Sequence, residues 1–143
     1  MELYVVDTSR RPAGVVESFE YLRWTRKYSQ CGSFELKAIA TEKNLALLTL
    51  GNLLWKSGGE EAGVIEYVEI SQDEKELITV SGRFAISYLA RRIVWDTEIL
   101  NGTLADCVGQ LVNNHLISPG NTDRQMDFIA YDGGGLSDPV STQ

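Results

Sequence analysis

Histidine is almost missing from this sequence: among 143 residues there is one, His115. A nucleophile held by a histidine base therefore has a single candidate, and His115 falls at the end of an expected helix, where the helix dipole or solvent accounts for it. Cysteine is scarce as well. Cys31 and Cys107 are far apart, and with one histidine they do not make the spacing of a zinc site. They are expected to be small free hydrophobes, with no disulfide, no metal and no cofactor implied. A signal peptide is not recognisable, because Met1 to Asp7 lacks a basic start and an apolar run, and no window approaches the roughly 18 apolar residues of a membrane span. The expectation is a protein kept soluble in a cytoplasm and not bound to membrane. Positive charge is in deficit, with 13 Lys and Arg against 20 Asp and Glu and a net charge of -7. Such a field repels phosphate backbones, so specific nucleic-acid binding is not expected.

The acidic surplus offers little catalysis either. Glu60, Glu61, Asp73, Glu74 and Glu76 are the carboxylates a glycosidase pair would be drawn from, yet they fall in or beside turns, where solvated loop charge is the default. Asp73 to Glu76 lacks the pattern of a calcium-binding loop. Gly133, Gly134 and Gly135 are not followed by the Lys-Ser/Thr of a phosphate loop. Asn101-Gly-Thr103 matches a glycosylation acceptor, but a turn followed by a helix cap explains it fully. No catalytic residue is assigned, and the chain is expected not to be an enzyme.

What is present is alternation. An apolar fraction of 43% in a chain of this length suits one packed domain, here residues 1–131, with 132–143 as a flexible Gly-rich tail or linker. Glu2 to Asp7 reads as a buried strand, Thr8 to Gly14 as a turn, and Val15 to Lys27 as one long strand, bent or bulged because its apolar residues change parity. Phe34 to Ile39 pairs back on it. Thr41 to Thr49 reads as a short helix or helical turn capped by Thr41, ended by Gly51, and Asn52 to Lys56 as a strand. Ala62 to Ser71 and Glu76 to Arg83 form the clearest hairpin. Phe84 to Leu89 fits a short helix and Arg91 to Trp95 a strand or extended segment. Thr103 and Asp106 are spaced to cap the main helix, whose stripe is Leu104, Cys107, Val108, Leu111 and Val112, ending near His115. Phe128 to Tyr131 is a candidate last strand. The fold class is thus β-rich α+β: an antiparallel barrel-like sheet with one main C-terminal helix and one or two short ones.

One set of residues carries a binding reading. Arg23, Trp24, Arg26, Tyr28, Arg91, Arg92 and Trp95 are of the types that anchor protein interfaces. The plainer alternative is that Trp24 and Trp95 are core and the arginines pair with surplus carboxylates. Burial of Trp24 distinguishes the two.

Five short motifs occur in a fixed order: Leu22-Arg-Trp-Thr-Arg-Lys-Tyr28, Cys31-Gly-Ser-Phe-Glu-Leu36, Gly63-Val-Ile-Glu-Tyr-Val-Glu-Ile70, Thr79 to Arg83 with Leu89 to Trp95, and Gly102-Thr-Leu-Ala-Asp106. Together they make the chain resemble the siphovirus ReqiPepy-like tail protein family, related to tail-tip and baseplate hub proteins. The resemblance implies a barrel-like hub domain with a helix packed on it. It also implies a structural ring, such as a trimer, in contact with other phage tail proteins, and a place in the virion after assembly in the bacterial host cytoplasm. It carries over no catalytic residues. A tail-associated cell-wall glycosidase and a carbohydrate-binding module, the latter marked by Trp24, Trp55 or Trp95 exposed on one flat face, are the competing functions.

Overall fold

A computed structural model describes residues 1–72 and 74–133. The chain divides into two compact units, residues 1–88 and the segment from Leu89 onward.

The first unit is built from strands β1 (Leu3–Val6), β2 (Pro12–Val16), β3 (Tyr21–Thr25), β4 (Ser33–Ile39), β5 (Leu53–Lys56), β6 (Ala62–Val64), β7 (Tyr67–Gln72) and β8 (Glu76–Arg83). They form two four-stranded antiparallel sheets, in the orders β2-β1-β5-β6 and β3-β4-β8-β7. The period-two pattern sorts side chains as expected: in β4, Phe34, Leu36 and Ala38 are buried while Ser33, Glu35 and Lys37 are not. Leu3, Val5, Val16 and Leu54 from one sheet meet Phe34, Leu36, Ile78 and Val80 from the other in a single core. No closed barrel is found among the described residues.

The long strand expected over Val15 to Lys27 is instead two strands in two sheets. β2 pairs with β1, whereas β3 pairs with β4. The expected strand from Ala62 to Ser71 divides in the same way, into β6 on β5 and β7 on β8. The physical reason is visible in the backbone donors. Ile65 N–H donates to Asn52 O at 2.9 Å, and the next residue, Glu66, donates to Ser81 O at 3.0 Å, so the chain changes ladders within one peptide step. Strands that switch sheets at a bend are a known way of turning a corner between packed sheets.

Between β4 and β5 lies the helix α1 (Glu42–Leu47). Thr41 caps it by accepting from Asn44 N–H at 3.1 Å. Two amides moor it: Asn44 Nδ2 donates to Ile39 O, and the buried Asn52 Nδ2 to Leu47 O, both at 2.9 Å. Leu47 and Leu48 then enter the core.

In the second unit the main helix is α2 (Leu104–Val112), followed by a wider turn over Asn113–Ile117 that carries the helical path past His115. Thr103 Oγ1 accepts from Asp106 N–H, and the Asp106 carboxylate accepts from Thr103 N–H at 3.0 Å, the reciprocal capping expected from the spacing. The short helix expected from Phe84 is a 3-10 helix over Ala85–Arg91. Arg91 to Trp95 forms no strand, which leaves the extended-segment reading standing, and the Arg92 guanidinium donates to Arg124 O at 2.8 and 3.2 Å. Phe128 to Tyr131 forms none either; Tyr131 Oη donates to Ala105 O at 2.9 Å, tying this segment to α2 through a ring and not through a ladder. Of the tail or linker expected over 132–143, residues 134–143 lie outside the described residues.

Candidate functional site

The turn between β3 and β4 contributes most of one shallow concavity of about 580 Å³, lined by Arg26, Lys27, Tyr28, Gly32, Glu61 and Ile86 among others. Its base is local packing. Trp24 stands opposite Phe34 in the β3–β4 ladder, with ring centroids 5.7 Å apart, and its indole also meets Phe84 at 4.9 Å. Phe84, which lines the concavity too, seats against the turn where Gly32 leaves room: a Cβ on Gly32 would come within 2.5 Å of both the Phe84 ring and Thr25 O. Cys31 Sγ bonds Gly32 O at 3.3 Å and Phe84 O at 3.5 Å, fixing the turn to the end of β8.

On this base the charged and aromatic rim is arranged. Arg26 Nε lies 2.5 Å from Glu61 Oε1, and its Nη2 lies 3.8 Å from Glu60. Tyr28 is fully exposed, and Ile86 beside it is 59% exposed. The arrangement combines an arginine, an exposed aromatic ring and an exposed aliphatic side chain. Among the described residues no three His, Cys, Asp or Glu side chains gather as metal ligands. Both cysteines are free thiols.

The seven residues singled out from sequence thus separate. Arg26 and Tyr28 share the concavity, while Trp24 is half-buried beneath it and packs against the core. Arg23 faces its ladder partner Glu35 at 3.2 Å. Arg91, Arg92 and Trp95 lie in the other unit; Arg91 is exposed, Trp95 is 78% exposed, and Arg92 is engaged with Arg124 O. Trp55 is half-exposed on β5, tilted against Tyr4 at 5.5 Å, with its Nε1 donating to Gly59 O. Trp24 therefore does not join Trp55 in an exposed flat face.

Sequence reasoning missed Phe84 and Ile86 as walls of the concavity and Glu61 as the partner of Arg26. The signal was available in part: in the stripe from Phe84, Ile86 falls out of phase with the buried Phe84 and Tyr88. It also missed the placement of His115, whose Nε2 lies 2.9 Å from Glu98 Oε1. Two further carboxylates are occupied structurally. Glu66 takes the Arg83 guanidinium at 2.7 and 3.0 Å, which raises the arginine's pKa through hydrogen bonding and charge. The Thr103 hydrogen bonds hold Asp106 below its ordinary pKa.

The family described as siphovirus ReqiPepy6 Gp37-like protein matches residues 2–142. The chain belongs to that family, and it is a phage protein. No curated protein matches it. Among the described residues no helix is long and apolar enough to cross a membrane.

Proposed function

We propose that this protein is a structural component of the phage tail, at the tail tip or baseplate, present in the virion and acting by oligomerising and by contacting neighbouring tail proteins. The observation that carries the proposal is the family match across residues 2–142, which ties nearly the whole chain to a siphovirus protein. The concavity supports it: exposed Tyr28 and Ile86 beside Arg26 are side chains of the kind that anchor protein contacts. The ion pairs of Arg26 with Glu60 and Glu61, and of Arg83 with Glu66, give these carboxylates structural partners and weigh against a glycosidase pair among them. No catalytic residue is assigned.

The test is the native mass of the purified protein, alone and mixed with its neighbouring tail proteins. A ring-forming subunit gives a multiple of 15.9 kDa or a defined mixed complex. Tyr28→Ala and Arg26→Ala then weaken that assembly without unfolding the chain. A monomer under every condition contradicts the proposal.

A further inference from the structure

Among the described residues nothing pairs with the outer side of β7, an edge strand set beside an apolar groove. Ala40 N–H donates to Glu76 O and Phe84 N–H to Gly32 O, at the two ends of the β4–β8 ladder. Even-numbered residues of β8 therefore bond to β4, and by the alternation of an antiparallel pair Leu77, Thr79 and Ser81 bond to β7. Their partners are Ser71, Glu69 and Tyr67. The N–H and C=O groups of Val68, Ile70 and Gln72 consequently point away from β8, along the outside of the sheet.

Alongside this edge, Leu45, Leu48, Leu50, Val68, Ile70 and Ile78 line a groove of about 400 Å³. Ile70 is 54% exposed and Leu50 is 62% exposed, although Ile70 pairs with the buried Ile78 on the core-facing side. The opposite side of β7 carries Glu69, which has no ion-pair partner among the described residues. Edges are ordinarily blunted by proline, lysine or a bulge. Edge strand β2 carries Pro12 and edge strand β3 carries Arg23, whereas β7, like the short edge strand β6, has no proline or basic residue, and Glu69 is its one charge.

The geometry points to β7 as a receptor for an added β-strand from another protein, one that alternates apolar residues with lysine or arginine. The extended backbone satisfies Val68, Ile70 and Gln72, its apolar side chains cover the groove, and its cations face Glu69. A second copy of this chain fits poorly: each carries a net charge of -7, and antiparallel self-pairing of β7 brings two Glu69 side chains to the same seam. The inference goes beyond the proposed place in the tail and does not depend on it.

The test uses the full chain and a synthetic six-residue peptide alternating lysine and valine, with a proline-interrupted peptide of the same charge as control. The expected result is saturable binding of the first peptide alone, with slowed amide exchange at Val68, Ile70 and Gln72. Glu69→Lys weakens it roughly tenfold. Ile70→Pro abolishes it while the native circular dichroism persists, since a proline whose missing N–H faces outward leaves the β8 ladder whole. Equal binding of both peptides, protection elsewhere, or no saturation at millimolar peptide overturns the inference. So does protection of the same three amides that rises with protein concentration and needs no peptide, which would make a second copy the occupant.

Discussion

Gly82 of β8 lies against the backbone of Val64, so close that a Cβ on Gly82 would stand 1.8 Å from the Val64 carbonyl oxygen. This contact sits where the chain leaves β6 for β7, one residue before the change of ladder at Ile65 and Glu66. Neither side can yield easily, since both are backbone in ladders of different sheets. Gly82→Ala is therefore expected to cost about 3 kcal/mol or more, beyond the usual overpacking penalty. Denaturant unfolding of the variant measures it, and a loss under about 0.5 kcal/mol would show that the crossing is not tight.

Trp24 and Trp95 are expected to behave oppositely. Trp24 packs on Phe34 and Phe84, so Trp24→Ala is expected to destabilise by about 3 kcal/mol, the low end for a large aromatic because the ring is only half-buried. Trp95 is 78% exposed, and Trp95→Ala is expected to stay within about 0.5 kcal/mol. Thermal melts of the two variants compare them directly.

These two tryptophans also mark what sequence could and could not reveal. Both sit among arginines in similar local patterns, and only the ladder pairing of Trp24 with Phe34 separates core from surface. Strands β1, β4, β5 and β8 and both α-helices were legible because their signals are local: alternation, a capping threonine, an apolar stripe. The sheet crossings were not. A strand that changes sheets keeps its β-branched and aromatic composition on both sides of the corner, and only the parity drift after Val15 hinted at a break. The tie of Tyr131 to Ala105 joins residues 26 apart and leaves no periodic mark. The concavity was half legible, through Arg26 and Tyr28, because its other wall comes from Glu61, before β6, and from Phe84 and Ile86, after β8.

The buried amide of Asn52 closes the last turn of α1 through Leu47 O. Asn52→Ala leaves that carbonyl without its partner in a buried setting, at an expected cost of about 1–3 kcal/mol. Asn52→Asp, which keeps the shape but removes the donor, is expected to be at least as damaging. Chemical denaturation of both variants gives the comparison.

At the start of α2, the Thr103 side chain and backbone hydrogen bonds lower the pKa of Asp106. A depressed carboxylate adds stability that is fully present above its unfolded pKa, near 3.9, and is lost as pH falls through the lower folded value. Acid unfolding followed at α2 is thus expected to lose this contribution only below about pH 4, and Asp106→Asn to flatten that step. Thr103→Ala removes the cap itself and is expected to cost about 1 kcal/mol at neutral pH.

Whether the protein is built into the tail is tested most directly by imaging purified phage tails assembled with and without it. The account predicts density for this chain at the tail tip or baseplate, in several copies, and tails without it that lack that part. Complete, infectious particles that form without the protein and never contain it would contradict the account.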